Sequence, residues 1–276
     1  MKQALAKAQI EAEVTSQVGN VFTRGEKLPA DFVSSGVPEI DALTGGGLPR
    51  GAIMEMFGTA SSGRISLLCS ALSNATSNHE TCALIDTSDT FDPASAANAR
   101  VNWDRLLWVR CGNSLERAFK ATDLLLQSGG FGLVALNLAD VGVSCTRRIM
   151  SSWWFRFRRA VESTPTALVV ITPGACVRSC AAVVLEMKSE SSIWPRTMPV
   201  DLENARLIAR EDIKQSIRSR QLSLVGDSHP KVKFQSSLTH AQLLCGINIR
   251  VDRAKPTSWS ERTARFSARS PATRPA

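Results

Sequence analysis

The chain has 276 residues, of which 43% are hydrophobic and 21% are charged, and its formal net charge is +8. This composition is ordinary for a globular protein, and the positive charge favours polyanionic partners, nucleic acid before acidic membrane surfaces. Charges spread through the first residues argue against a secretory signal, and no run of about 18 apolar residues predicts a membrane span. The seven scattered cysteines are typical of a reduced, cytoplasmic protein.

Apolar segments alternate between strand-like and helix-like spacing along most of the chain. Helical spacing first occurs at residues 1–20, and a Gly- and Pro-rich turn at 45–49 precedes the first strand. The predicted strands are 52–57, 81–86, 106–110, 132–138, 166–172, 181–188 and 243–251, and the predicted helices after the turn are 64–78, 114–127 and 147–163. This alternation predicts an α/β fold with a mostly parallel, twisted sheet flanked by helices.

The periodicity also divides the chain into four parts. Residues 1–30 form an N-terminal helix and linker, and residues 31–188 form the core. Residues 189–252 are a variable part that ends in a late strand. Residues 253–276 are basic and poor in large apolar residues, so we predict a disordered tail there.

The segment after the first strand has the outline of a phosphate-binding loop. Such loops follow G-x-x-x-x-G-K-[ST], in which backbone N–H groups surround the phosphates, the lysine reaches their outer oxygens and the hydroxyl holds Mg²⁺. Both glycines are present, but Arg64 has a planar fork in place of the ammonium, and Ile65 supplies no oxygen. The next hydroxyl lies about 100° further around the helix. The candidate phosphate-contacting residues are Gly58, Ser61, Ser62, Gly63, Arg64 and Ser66.

The chain resembles the RecA family of ATPases over residues 1–188, because several motifs agree in order. The segment SSGVPEIDALTGGGLPRGAIMEMFGTASSG is similar to the opening of the RecA core, and TCALIDTSDTFDP is similar to the strand and loop that follow. Residues 101–141 also match in order and spacing. The resemblance implies a RecA-like phosphate-loop core, with an N-terminal arm that contacts another subunit or packs on its own domain.

The resemblance also locates the residues that hydrolyse ATP in the family. The aspartate that orders magnesium corresponds to Asn137, and the water-activating glutamate corresponds to Ser88, since the Asp-Pro pair that follows fixes the alignment against the adjacent Asp89. General base catalysis typically contributes about 10²–10⁴-fold to a rate. The resemblance therefore implies a degenerate site without ATP hydrolysis. The backbone of the loop stays compatible with ATP binding without turnover.

The segment 147–163 is both basic and aromatic. A stripe of Met150, Trp154, Phe157 and Val161 at helical spacing predicts a buried face against the sheet. The candidate residues for contact with nucleic acid or a partner, against the alternative of a solvated basic face, are Arg147, Arg148, Arg156, Arg158 and Arg159.

Two further features depend on the resemblance. Residues 173–180 are too short for the second DNA-contacting loop of the family, which places strand exchange in doubt. Arg253 and Lys255 resemble a basic pair at a RecA subunit contact, although an unstructured basic tail is the interpretation that the composition favours.

A RecA-like core that lacks its hydrolytic residues looks like the ImuA-type accessory proteins of bacterial mutagenic repair. That resemblance implies a non-catalytic adaptor in damage-induced translesion synthesis, with polymerase partners and possible contacts to RecA, to DNA or to a second copy of the chain. No metal and no obligatory cofactor are expected. The first alternative is a divergent DNA-dependent ATPase or recombinase, and the second is an inhibitor that caps filaments through its N-terminal arm.

Overall fold

The structure is a computed structural model that describes residues 31–194, 245–257 and 260–269. The helix predicted at 1–20, and residues 195–240 of the segment without clear periodicity, lie outside the described residues. One compact unit contains the described residues 31–191, 248–257 and 260–268, and residues 192–194, 245–247 and 269 belong to a second.

The described elements follow the predicted alternation of strands and helices. In chain order the strands are β1 (Phe32–Val33), β2 (Leu48–Pro49), β3 (Ala52–Gly58), β4 (Cys82–Asp86), β5 (Leu106–Arg110), β6 (Leu133–Asn137), β7 (Ala167–Thr172), β8 (Ala181–Ile193), β9 (Gly246–Lys255) and β10 (Thr263–Arg269). The α-helices are α1 (Pro38–Thr44), α2 (Arg64–Ser77), α3 (Pro93–Asn98), α4 (Leu115–Ser128), α5 (Val143–Arg147) and α6 (Ser151–Val161). The sequence did not predict β1, β2, β10 or the short helices α1, α3 and α5.

Eight strands form one sheet in the order β10-β9-β8-β3-β7-β6-β4-β5, which confirms the predicted α/β class. The six strands from β8 to β5 run parallel, so their carboxyl ends share one edge. Gly58, Asp86, Asn137 and Thr172 end β3, β4, β6 and β7 at this edge. Open parallel sheets bind their ligands beyond such an edge, and the phosphate-loop segment lies there.

The segment predicted as one helix over 147–163 is two helices. Helix α5 ends at Arg147, and Met150 is extended, with φ −63° and ψ 133°, before α6 begins. Trp154, Phe157 and Val161 are at most 1% exposed, as predicted, but Met150 is 65% exposed. The spacing that placed Met150 in the apolar stripe applies only within a continuous helix, and the extended residue breaks it.

The aromatic side chains of α6 pack on α4. The ring centroids of Trp154 and Phe157 lie 5.3 Å and 5.4 Å from that of Phe119, and all three rings belong to the core on this side of the sheet. Aromatic rings at these separations add stabilisation beyond the burial of their area. The basic character of α6 is therefore confined to its outer surface.

The prediction of a disordered tail from residue 253 is wrong for the part that the structure describes. Strand β9 continues to Lys255, and β10 pairs with it at the margin of the sheet. In β10 the half-buried residues Ala264, Phe266 and Ala268 alternate with exposed polar ones. Backbone pairing to β9 gives this segment its partners, so a strand forms there without a run of large apolar residues.

Candidate functional site

The phosphate-loop segment joins β3 to α2 at the carboxyl edge of the sheet. Residues 59–61 are exposed, whereas Ser62 and Arg64 are only 1% and 6% exposed. Gly63 has φ 86°, a left-handed conformation that favours glycine. The loop predicted from the two glycines is therefore present, but its second half is enclosed by the protein.

The side chain of Arg64 folds back into this loop. Its Nε donates to Oγ of Ser62 at 3.2 Å, and its Nη2 donates to the carbonyl oxygen of Thr59 at 3.1 Å. Its Nη1 reaches across to the carbonyl oxygen of Thr172, at the end of β7, at 2.5 Å. Burial lowers the pKa of the guanidinium, against the opposing charge of Asp140. Because acceptor oxygens surround this position, it suits a cation and not the oxygens of a phosphate.

Neighbouring strands approach both glycines of the loop closely. A Cβ atom on Gly63 would overlap Cδ1 of Ile249, a fully buried residue of β9. A Cβ atom on Gly58 would overlap the carbonyl oxygen of Met187, on β8. Packing against the protein itself therefore accounts for glycine at these two positions. Ile249 covers Gly63, a contact that the sequence analysis did not anticipate.

The start of α2 supplies no oxygen where a magnesium ligand is expected. Ile65 is half-buried and apolar. Ser66 is exposed and lines a groove with Ser70 and Ser73, along the outer side of the helix. The hydroxyl of Ser66 therefore does not replace the one that is missing at position 65.

Asn137 and Asp86 form a buried polar pair at the same edge of the sheet. The Asn137 amide donates through Nδ2 to Oδ1 of Asp86 at 3.2 Å and accepts, through Oδ1, from the backbone N–H of Ala139 at 3.1 Å. The other oxygen of Asp86 accepts from the backbone N–H of Phe91 at 2.9 Å. Asp86 was not predicted as a site residue, although its carboxylate stands at the end of an apolar strand. Its oxygens hold adjacent loops together.

The loop after β4 does not restore the missing glutamate. Ser88 is half-buried, and the exposed Asp89 has φ 56°. The carboxylate of Asp89 lies 3.5 Å from Nη2 of Arg110 and accepts from the backbone N–H of Gly112 at 3.4 Å. Three strands separate β5 from β3, so Asp89 is engaged at the far side of the sheet from the phosphate loop.

Residues 173–180, which we call the crossover, connect β7 to β8 without a regular helix, apart from a short 3-10 turn at Arg178–Cys180. Cys176 and Val177 are buried, so this segment is packed on the core and is not a projecting loop. Their backbone N–H groups donate to Oε1 of Glu55 at 2.7 Å and 3.2 Å. Glu55 is 1% exposed, and burial raises the pKa of its carboxyl group. A buried carboxylate on β3 thus satisfies backbone donors that no helix satisfies.

The crossover and the phosphate loop are connected through Thr172. The hydroxyl of Thr172 donates to the same oxygen of Glu55 at 3.2 Å, while its carbonyl oxygen accepts from Arg64. A hydrogen-bonded path therefore runs from the loop through the end of β7 to the crossover. Glu55 was not predicted in this role, although it is the lone carboxylate inside the apolar strand AIMEMFG.

The five arginines predicted to contact nucleic acid or a partner separate into two kinds. Nε and Nη2 of Arg156 each donate to a carboxylate oxygen of Asp123, on α4, at 2.6 Å. The other four are exposed and form no ion pair with any described acidic residue; they are Arg147, Arg148, Arg158 and Arg159. Arg156 is therefore a link between two helices, and the remaining four are available at the surface.

Arg253 and Lys255 lie on strand β9, so the interpretation of an unstructured tail is wrong for this pair. Arg253 is 4% exposed and its Nη2 donates to the carbonyl oxygen of Glu261. Nζ of Lys255 donates to the carbonyl oxygen of Ala181 at 2.7 Å. Pairing of β9 within the sheet gives both side chains fixed positions that composition alone did not suggest.

Across the described residues, no helix is long and apolar enough to cross a membrane. The same residues contain no group of three or more His, Cys, Asp or Glu side chains that could hold a metal ion. Burial raises the pKa of Cys69 to about 11, as expected for a thiol that packs as a small apolar side chain.

Comparisons with known proteins agree with this geometry. The RecA N-terminal domain family matches residues 2–150, which is more than half of the chain. Protein RecA of Rickettsia canadensis (strain McKiel) is 34% identical over 139 residues, 49% of this chain and 40% of its own length. Protein RecA of Ectopseudomonas oleovorans is 35% identical over 146 residues, which cover 50% of this chain and 41% of its own length. Protein RecA of Leifsonia xyli subsp. xyli is 29% identical over 187 residues, which cover 62% of this chain and 52% of its own length. The chain spans about half the length of these curated relatives.

Proposed function

Since this chain belongs to the RecA family, we propose that it is a non-catalytic, RecA-like accessory protein of bacterial DNA repair. It acts in damage-induced translesion synthesis, part of the SOS response, as an adaptor of the ImuA type that binds DNA polymerase partners. The observation that carries this proposal is the hydrogen bonding of Arg64 into its own phosphate loop.

Three features of the site argue against magnesium-dependent hydrolysis. The guanidinium of Arg64 occupies the interior of the loop, where it donates three hydrogen bonds to the protein. It cannot reach outward to phosphate oxygens without breaking them. The helix start supplies an isoleucine at the magnesium position. The amide of Asn137, at the end of β6, is neutral and engaged at both ends. Loss of metal stabilisation adds several kcal/mol to the barrier for phosphoryl transfer.

The same features bear on nucleotide binding. Phosphate binding at a loop of this type depends on free backbone N–H groups at the start of the helix. Here that region is covered by Ile249 and filled by Arg64, so the residues present do not fit a magnesium-bound nucleotide. We therefore propose that the protein works without bound ATP, and that its fold is retained as a scaffold for protein and DNA contacts.

The proposal is tested by measuring ATP binding and phosphate release with the purified chain, with and without Mg²⁺ and single-stranded DNA. We expect no turnover above a blank, while a RecA protein assayed in parallel provides the positive reference. The variant R64K is the matched control for the loop. It should also be inactive, because Ile65, Ser88 and Asn137 are unchanged.

The alternative is a divergent DNA-dependent ATPase or recombinase. It is favoured by the retention of both loop glycines and of a cation at position 64. DNA-stimulated phosphate release by the wild-type chain, abolished in R64A, would establish this alternative and refute the non-catalytic proposal. A second readout is direct association of the purified chain with a purified translesion polymerase, which the adaptor proposal requires and the alternative does not.

A further inference from the structure

Strand β10 lies at one margin of the eight-stranded sheet, and no described strand pairs with its outer edge. An edge strand presents backbone N–H and C=O groups with which a further strand can pair. Proteins commonly block such edges with proline, with charges on the inward face or with a very short strand. The seven residues of β10 contain no proline, and its half-buried inward face consists of Ala264, Phe266 and Ala268. Within the described part of the molecule, the outer edge of β10 is therefore open to a further strand.

The exposed side chains of β10 bond away from this outer edge. Three of them contact β9 or β8: Thr263 through Oγ1 with Oδ1 of Asp252 at 2.8 Å, Ser267 through Oγ with Oδ1 of Asn248 at 2.7 Å, and Arg265 through Nε with the Glu190 carboxylate at 3.0 Å. Because residues 263 and 267 contact residues 252 and 248, β9 and β10 run antiparallel. These side chains point back into the sheet, so they do not shield the outer backbone.

The pairing with β9 decides which backbone groups of β10 face outward. The backbone N–H of Arg253 donates to the carbonyl oxygen of Arg262. In an antiparallel ladder the backbone groups of successive residues point to opposite sides. Those of residues 264, 266 and 268 therefore point to β9, and those of residues 263, 265, 267 and 269 point to the outer edge. The strand thus presents four N–H donors and four carbonyl acceptors at that edge.

We propose that β10 pairs antiparallel with β10 of a second copy of this chain, which joins the two sheets across a two-fold axis. In the register in which all seven residues overlap, residue 263 lies opposite residue 269 of the second copy. Phe266 then lies opposite its own equivalent, and Arg265 lies opposite Ser267. The half-buried ring of Phe266 gains an aromatic neighbour, and no arginine lies directly opposite another.

Two constraints select this register. Hydrogen bonds form only where outward-facing residues lie opposite each other, so any other register is offset by at least two residues. An offset of two residues places Arg265 opposite its own equivalent in one direction and opposite Arg269 in the other. Like charges directly opposite each other destabilise an antiparallel pair, whereas aromatic pairs stabilise it. The sequence of β10 is therefore complementary to itself in the fully overlapped register.

The pairing of β10 goes beyond the proposed function and does not rest on it. A contact that uses the same patch on both copies closes at two copies, so it yields a dimer and not a filament. It differs from the subunit contact that the resemblance implies, because that contact uses the N-terminal arm within residues 1–30. A dimeric adaptor would carry each of its partner-binding surfaces twice.

The experiment is sedimentation velocity over a wide range of concentration, in which the wild-type mass should rise from 29.9 kDa toward twice that value. The variant S267P removes an N–H donor from the outer edge, and the fold tolerates proline there because this donor does not pair with β9. S267P should remain a monomer. The matched control S267A loses the same hydroxyl group but keeps the N–H donor, so it should dimerise like the wild type. Circular dichroism and urea unfolding establish that both variants are folded.

The register is tested by charge at the same position. S267E places a carboxylate opposite Arg265 of the second copy, and S267R places another cation there. The dimer dissociation constant should be about fivefold lower for S267E than for S267R at low salt, because opposite charges stabilise a cross-strand pair and like charges destabilise it. Both changes keep the N–H donor, so this comparison tests the pairing even if S267P does not fold.

Disulfide formation locates the two-fold axis. In the proposed register the Cα atoms of Phe266 in the two copies lie about 4.5 Å apart, within the range that a disulfide spans. F266C should therefore form a covalent dimer under mild oxidation. The control A264C should not, because its two thiols lie four residues apart along the strands, about 14 Å.

Four results would overturn this dimer. They are a mass of 29.9 kDa at every concentration, equal association of S267P and S267A, equal dissociation constants for S267E and S267R, and equal cross-linking of F266C and A264C. If ATP turnover is present while the dimer behaves as expected, only the proposed function fails. If the dimer fails while turnover is absent, the non-catalytic proposal stands and only the pairing of β10 is removed.

Discussion

Arginine occurs in two contrasting settings in this molecule, inside the phosphate loop and on the exposed sides of α6 and the crossover. Arg64 is buried and donates to three acceptor oxygens of the protein, whereas Arg158, Arg159 and Arg178 are exposed without a described acidic partner. In the first setting the charged side chain is structural, because its hydrogen bonds join parts of the protein. In the second setting the charge faces solvent.

The contrast teaches that a loop retained from the family and the exposed basic surface need not coincide. The phosphate loop keeps its two glycines, but one fits under Ile249 and the other under the backbone of β8. These are requirements of packing. The exposed arginines lie on a helix and on the crossover, the segment that the resemblance to RecA matches to the family's second DNA-contacting loop. The two regions can therefore be separated by substitutions whose effects differ in size and kind.

The largest expected effect tests whether α6 has one buried and one exposed side. W154A removes a ring that is 1% exposed and packs on Phe119 and Phe157, so it should cost about 3–5 kcal/mol of unfolding free energy. F155A, one residue further, should change stability by about 0.5 kcal/mol or less. Urea unfolding midpoints measure both. Similar losses for the two variants would mean that the helix is not two-sided.

The next effect compares the two kinds of arginine directly. R64M should lose about 2–3 kcal/mol, because it leaves the carbonyl oxygen of Thr172 and other buried acceptors without their donor. R159M, on the exposed side, should be close to neutral. The measurement is again urea unfolding. If R64M left the unfolding free energy unchanged, the Arg64 side chain would not be structural, and the loop would again be a candidate ligand site.

A smaller effect isolates the cover over the loop. G63A and G45A both place a side chain in the left-handed helical region, at φ 86° and ψ 7° and at φ 75° and ψ 22°, so both should lose about 1 kcal/mol to backbone strain. A Cβ atom on Gly63 would overlap Ile249, whereas Gly45 is exposed at the end of α1. Thermal and urea unfolding should therefore show G63A about 1–2 kcal/mol less stable than G45A. Equal losses would indicate that Ile249 does not pack on the loop.

The smallest effect concerns the carboxyl group that joins the two regions. The folded chain holds the Glu55 proton more tightly than the unfolded chain, whose pKa is near 4.5, because burial raises the pKa. The stability that this group contributes is complete below pH 4.5 and is lost as pH rises through its folded pKa. The limiting slope is about 1.4 kcal/mol per pH unit. E55Q should flatten the curve of unfolding free energy against pH. Parallel curves for E55Q and the wild-type protein would contradict the raised pKa of the buried Glu55 carboxyl group.

Much of the fold was predictable because parallel strands are buried on both faces and so read as apolar runs. The strands β3, β4, β6 and β7 lie within one or two residues of their predicted bounds. The position of the phosphate loop was predictable from two glycines at fixed spacing. Arg64 and Ile65 were singled out by comparison with the phosphate-loop pattern, and Ser88 and Asn137 by the resemblance to RecA.

The rest depended on partners that are distant in the sequence. The direction of Arg64 is set by Thr172, 108 residues away, and the cover over Gly63 comes from a strand that composition could not connect to the core. The role of Glu55 depends on the backbone of the crossover. Strand β10 was missed because its stability comes from an edge pairing that leaves little hydrophobic signal.

The contact between Ile249 and Gly63 also has a consequence for the order of assembly. The two residues are 186 positions apart (249 − 63), so during translation the loop emerges on the order of 10–40 s before the residue that covers it. Until then, a nascent chain contains the loop and Arg64 but not the strand that covers Gly63. A chain truncated before Gly246 would keep the loop uncovered. Packing around Gly63 can therefore be completed only after β9 has been synthesised, however early the loop itself forms.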